Sequence, residues 1–403
     1  MRPFENICMG ESMTSVEELK RLKIEYPAEE EITGCKGFYN KAARNSNIEG
    51  LRIIAMFCIV LSHYSAFSKV NPDALSFGFS KILLDSVAIG KLGVAVFVMI
   101  TGYFMVNLKF NINRVVNIVL QTLFYTVGIY AIFLITGGAF SFKGVIESLF
   151  PIITCQYWFV SAYVILSLLT PFINKVLNGI TKKQFIALLG VLIFYNSVAP
   201  TFLHFNAFTY GGHLCYMVMF YCVGAFIRKY PPKKPSKTLE ILLVGISAGL
   251  LVLSVVAIDF LAERFTFLAG KSGKFYTVSS VLILTLAIGL LLLFTQMKPR
   301  TNKVINVLGS CTFGVYLIHA NNYMNEWIWG GFCNNSSYAA PLRLVMHMCI
   351  CVVCVFVICT FIEFIRQYGL EKKLFKKFYE FVYKTVNAML EKLKSGINKI
   401  LVK

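Results

Sequence analysis

Charge is scarce in this sequence. Only 15% of its 403 residues are charged, while 57% are hydrophobic. A soluble domain keeps roughly a quarter of its residues charged, so a water-soluble globule is excluded. Paired C-x-x-C motifs are also missing, and the five His do not cluster with the twelve Cys. That removes the spacing a structural metal site requires, and no metal is expected. Cys58, Cys215, Cys222, Cys311, Cys349, Cys351, Cys354 and Cys359 fall inside apolar runs, where a free thiol acts as a small, soft hydrophobe. The first 47 residues are polar and of mixed charge, with Glu29, Glu30 and Glu31 among them. They hold no apolar core of a signal peptide, so the first apolar run is expected to remain as an anchor. No repeat relates the two halves of the chain, and no long polar insertion separates the apolar runs.

What is present is a series of apolar runs long enough to cross a bilayer, which takes about 20 residues per helix. Spans are predicted at Ile48–Ser68, Ser86–Val106, Val115–Thr136, Tyr157–Val176, Phe185–Pro200, Tyr210–Ile227, Leu239–Phe260, Tyr276–Met297, Val304–Ala320 and Pro341–Ile365. The expected fold is all-α, a polytopic membrane protein with about ten transmembrane helices. Its zones are a tail at 1–47, a membrane domain at 48–366 and a basic segment at 367–403.

The net charge of +19 raises the question of a nucleic-acid partner. The distribution of the charges answers it. With the N-terminus inside, 30 of the 39 Lys and Arg fall on the inner side and eight on the outer, Arg52 lying within the first span. This is the positive-inside bias. It predicts cytoplasmic N- and C-termini in a multi-pass protein of the plasma (inner) membrane, and no nucleic-acid partner. Near the C-terminus, Leu374, Phe378, Val382, Met389, Leu393, Ile397 and Ile400 recur at near-helical spacing with lysines between them. The pattern fits a helix lying on membrane lipids, apolar face in the acyl boundary and Lys among anionic headgroups. A helix packed against another protein is the alternative.

The first span carries the most informative pair. Arg52 and His63 are eleven residues apart, close to three turns, so they lie within roughly 20° around the helix and about 16 Å along it. An arginine at the centre of a span costs about 2.5–3.5 kcal/mol, and an intramembrane ionisable residue is by default functional and inward-facing. The structural alternatives are snorkelling of Arg52 to headgroups and an interfacial His63. Beyond Arg52 the spans read as nearly free of interior charge. Asp85, Asp259 and Glu263 read as solvated at outer span ends, Lys91 as snorkelling, and Arg343 and His347 as interface anchors. Asn196, His204, Asn206, Tyr210 and His213, around the fifth-to-sixth connection, form a polar and aromatic group suited either to a sugar site or to an interfacial belt.

Four segments share a resemblance. They are Asn47-Ile-Glu-Gly-Leu-Arg52 with His63, Gly93 to Tyr103, Tyr157-Trp158-Phe159 through Pro171, and Thr312-Phe-Gly-Val-Tyr-Leu-Ile-His319. In order and spacing, from Asn47 to about Ile365, they resemble the acyltransferase-3 family of integral membrane O-acyltransferases. Thr101 stands where that family usually has Ser, keeping the hydroxyl. The resemblance implies transfer of an acyl group, usually acetyl, from cytoplasmic acyl-CoA to a hydroxyl of a surface or lipid-linked carbohydrate. Acetyl-CoA would be the donor. His63 would be the general base, since its imidazole titrates near neutrality. Arg52 would hold CoA phosphate, which a guanidinium matches bidentately. Thr101, Tyr157, Trp158 and His319 are the implied substrate-binding residues. Direct transfer and an acyl-enzyme relay through His63 or Thr101 both remain open. A secondary transporter or flippase of a small anionic or sugar substrate would also have about ten helices. It would more often show repeat symmetry and charges at the midplane of several helices.

Overall fold

The computed structural model describes residues 44–67, 69–203, 212–232, 236–338 and 340–401. Among them there is no strand. The principal helices are α1 (Ser46–Phe67), α2 (Gly90–Met105), α3 (Ile112–Ile135), α4 (Trp158–Gly179), α5 (Lys182–Ile193), α6 (Gly212–Lys229), α7 (Lys237–Ala262), α8 (Val281–Gln296), α9 (Lys303–His319), α10 (Pro341–Ile365) and α11 (Lys376–Leu401). The all-α, polytopic architecture is as the apolar runs imply. Eight helical segments are long and apolar enough to cross a membrane, or nine when α9 and the following Asn322–Phe332, bent by 81°, count as one span. The one expected span outside that set is α6. It opens on Gly212 and His213 and closes on Arg228 and Lys229, yet Met217, Met219, Phe220 and Tyr221 at its centre are buried. A helix enclosed by protein does not need an uninterrupted apolar surface.

Local chemistry sets the helix starts. Asn111, Ser236, Ser280 and Asn302 each accept a backbone N–H of the first turn of α3, α7, α8 and α9, and Thr181 with Gln184 closes a capping box on α5. These caps satisfy donors that have no intrahelical partner.

Close helix crossings rely on glycine. At Gly102 a Cβ would strike the Tyr221 carbonyl of α6, and at Gly224 it would strike the Met99 carbonyl of α2. The two glycines let α2 and α6 meet backbone to backbone, a packing device typical of membrane helices. Gly93 does the same against the Ala55 carbonyl of α1, while Gly90 lies on Ser62. Helices α1 and α2 are therefore antiparallel, and Lys91 lies at the His63 end of α1. Helices α1 and α9 run parallel: Gly309 packs on Glu49 near their starts, and His319 meets His63 near their ends.

Helix α11 packs on the first turns of α3. The Tyr383 hydroxyl bonds the Asn117 side chain, and Asn387 Nδ2 donates to Asn113 Oδ1 at 3.1 Å. Phe378, Phe381 and Met389 on the same helix are exposed. The side chains of Leu374, Leu393, Ile397 and Ile400 lie outside the described residues, as do His204, Asn206, Tyr210 and residues 1–43.

Candidate active site

Arg52 and His63 occupy two depths of α1. At the first, Arg52 Nη1 donates to Glu49 Oε1 at 3.1 Å and Oε2 at 3.4 Å. The Glu49 side chain is buried at 7% exposure and the Arg52 side chain is 32% exposed. Gly309 of α9 supplies the space for Glu49. Only Nη1 of the guanidinium is engaged among the described residues, so Nε and Nη2 remain available.

At the second depth, His63 is partly exposed, but its Nδ1 is buried without a hydrogen-bond partner. Its ring centroid lies 4.9 Å from that of His319, at an interplanar angle of 48°. His319 is fully buried, and its Nδ1 lies 2.5 Å from the Val315 carbonyl oxygen. A carbonyl only accepts, so Nδ1 carries the proton. In the neutral ring Nε2 is then an acceptor, and it is buried with no partner. Trp329 backs His319, its Nε1 donating to the His319 carbonyl at 3.4 Å. Two facing imidazoles thus each carry an unsatisfied buried nitrogen. Unpartnered buried polar atoms are rare enough in folded proteins to need an explanation.

The remaining candidates separate into two groups. Tyr157 supports α9: its hydroxyl donates to the Leu317 carbonyl at 2.7 Å and accepts from Asn321 Nδ2 at 2.7 Å, with the residue 2% exposed. Trp158 is next to it at the start of α4. Its ring meets Lys91 Nζ, 4.4 Å from the centroid, and the His213 ring at 4.2 Å. Thr101 is elsewhere. Its hydroxyl donates to the Phe97 carbonyl at 2.9 Å and pairs with the Tyr163 hydroxyl at 2.9 Å. It follows Lys91 by ten residues on α2, about 15 Å toward the Arg52 end. The His63–His319 pair and the Lys91–Trp158–His213 set therefore lie toward the same end of α1 and α2, and Thr101 does not.

The family model described as an acyltransferase domain matches residues 45–364. The chain belongs to the acyltransferase-3 family. The span covers both depths of α1 and the whole His63–His319 contact, so the protein is a membrane acyltransferase built around these helices. No curated protein and no solved structure matches the chain.

The acyltransferase holds interior charges that sequence reasoning missed. Glu363 of α10 is fully buried and forms a bidentate pair with Arg366, whose Nε and Nη2 donate at 2.8 Å each. Tyr125 at 2.5 Å, Gln121 at 3.0 Å and Gln367 at 2.6 Å also donate to its carboxylate, and Gly314 of α9 makes room for it. The spans are thus not charge-free after Arg52. The pair falls at the end of a long apolar run, where charges ordinarily mark the interface. Its i, i+3 spacing was the available signal.

Asp259, expected to be solvated, is 1% exposed and pairs with Lys81 Nζ at 3.3 Å, while Lys81 also reaches Asp85 at 3.0 Å. Short segments between the spans fold over this cluster, which hydropathy alone does not reveal. His347, expected as an anchor, bonds the Tyr64 hydroxyl at 2.9 Å and stacks on Tyr338 at 4.1 Å. No group of three or more His, Cys, Asp or Glu among the described residues is placed to hold a metal ion.

Proposed function

We propose that this acyltransferase moves an acetyl group from cytoplasmic acetyl-CoA to a hydroxyl of an extracytoplasmic or lipid-linked glycan, at the plasma (inner) membrane. The observation carrying this reading is the His63–His319 contact at the end of α1 remote from Arg52. The charge bias of the connecting segments supports cytoplasmic termini, with Arg52 inward and His63 outward.

In this reading the glycan hydroxyl gives its proton to Nε2 of His63, whose Nδ1 carries the ring hydrogen, as its oxygen attacks the thioester carbonyl. The carbon–sulfur bond then breaks. The proton returns to the departing thiolate, which leaves as CoA. His319 positions the base: its Nε2 is an acceptor for the N–H on the other side of the His63 ring, and a small ring movement closes that bond. Imidazolium formed during transfer is stabilised by the same contact. The free Nε and Nη2 of Arg52 hold CoA phosphate, with Glu49 fixing the guanidinium plane. Surface and lipid-linked carbohydrates are the acceptors that reach the bilayer.

The test is the O-acetyl content of surface glycan in wild-type, deletion and His63→Ala strains. The ester is expected in wild type and lost in both others. Equal acetylation in all three contradicts the proposal, and altered substrate uptake with no ester change indicates transport.

A further inference from the structure

Among the described residues Lys91 is a cation without a counterion. Among the described residues its Nζ makes neither an ion pair nor a hydrogen bond; its one recorded contact is the Trp158 ring face, 4.4 Å away. Lys182 and Lys271 likewise meet only a ring face, but both are exposed to solvent, whereas Lys69 is paired with Glu326, Lys81 with Asp85 and Asp259, and Lys143 with Glu147. Lys91 is partly buried at the start of α2. An aromatic face offsets only part of the solvation an ammonium loses there.

Lys91 also belongs to the site. Its neighbour Gly90 packs on Ser62, next to His63, and His213 lies 4.2 Å from the same Trp158 ring. One ammonium therefore adjoins the proposed base, an exposed imidazole and an indole. In sequence, the stretch 196–213 that leads into His213 holds no acidic residue.

We propose that Lys91 recognises an anionic group on the acceptor, a carboxylate or a phosphate, so that the acceptor is an acidic or phosphate-linked sugar. This inference rests on the acyl-transfer reading above. The anion sits against the Lys91 ammonium, with His213 beside it, and places a neighbouring hydroxyl at His63. Trp158 holds the ammonium in place rather than offering a bare platform to a sugar ring.

The test uses the full chain purified in lipid nanodiscs. Thermal unfolding is followed with methyl glucuronide, glucose 1-phosphate and methyl glucoside, each at millimolar concentration. One or both anionic probes should raise the midpoint while the neutral glucoside does not, and the probe that protects identifies carboxylate or phosphate. K91M and K91Q should weaken that binding by at least about tenfold, as for loss of a charged contact, and K91R should retain most of it. The unfolding midpoint of each variant without ligand is read first, and a variant that is unfolded is set aside in favour of the other. Equal protection by neutral and anionic probes, protection by none, or protection unchanged in K91M or K91Q overturns the proposal.

In parallel, label from [14C]acetyl-CoA is followed in native membranes and the products are separated by anion exchange. Label in a retained, acidic product supports the inference, and label in a neutral product contradicts it. Absence of any labelled glycan is a failure of the acyl-transfer reading, and the unfolding measurements still decide the role of Lys91.

Discussion

His319 lies with its ring centroid 4.9 Å from that of His63, and its Nε2 is left as an acceptor because its Nδ1–H is committed to the Val315 carbonyl at 2.5 Å. The helix backbone itself thus sets the tautomer of one ring and, through it, the orientation available to the other. The hydrogen bond at one imidazole nitrogen often decides which nitrogen is free to act.

Removing the base should stop the reaction without harming the fold. His63→Ala is expected to lower acetyl transfer by about 10²–10⁴-fold, the usual contribution of a positioned general base. His63 is only partly buried, so the variant should keep its unfolding midpoint. Transfer from [14C]acetyl-CoA in membranes, alongside a thermal melt, checks both halves of the statement.

At His319 the chemistry of the replacement matters. Gln carries an acceptor oxygen and should preserve part of the rate, whereas His319→Leu should lower kcat while leaving KM for acetyl-CoA near the wild-type value. Equal loss in both variants, tracking a drop in thermal stability, would mark His319 as packing alone.

Arg52→Ala should raise KM for acetyl-CoA by about tenfold or more, since a charged hydrogen bond contributes roughly 1.5–3 kcal/mol. Arg52→Lys should recover little, because an ammonium lacks the planar fork. Direct binding of acetyl-CoA to the inactive His63→Ala background separates this role from catalysis. Normal donor binding by Arg52→Ala, with activity lost as in His63→Ala, would contradict it.

The Glu363–Arg366 pair is a stability element. Glu363→Ala leaves the Arg366 guanidinium, 5% exposed, with only Glu371 at 2.8 Å, and breaking a buried pair costs up to about 3–5 kcal/mol. Replacing both partners by apolar residues of similar volume should recover part of this loss but not all of it, because Tyr125, Gln121 and Gln367 lose their acceptor. Unfolding midpoints of the single and double variants in nanodiscs test this. A double variant as unstable as Glu363→Ala would contradict it.

Much of this was legible from residues alone, and the reason is periodicity. The apolar runs mark the spans, and the 3.6-residue repeat puts Arg52 and His63 in phase on one helix. Partners across helices were not legible. Glu49 precedes Arg52 by three residues and looks like a first-turn acid; only the close approach at Gly309 shows why it is buried. Lys91 looked like a snorkelling side chain, and Trp158 like an interfacial aromatic, because their mutual contact and that with His213 join three separate helices. Glu363 and Asp259 sit at span ends, where charge ordinarily meets water. Their burial depends on Gln121, Tyr125 and Lys81 arriving from elsewhere in the chain.

The central claim is that His63 and His319 work as one unit, and a double-mutant cycle on acetyl transfer tests it most directly. Rates are measured for wild type, His63→Ala, His319→Leu and the double variant, at saturating acetyl-CoA. Residues that act as a unit are strongly non-additive. The double variant should therefore be no slower than His63→Ala. Independent losses that multiply, or a His319→Leu variant as fast as wild type, would contradict the account.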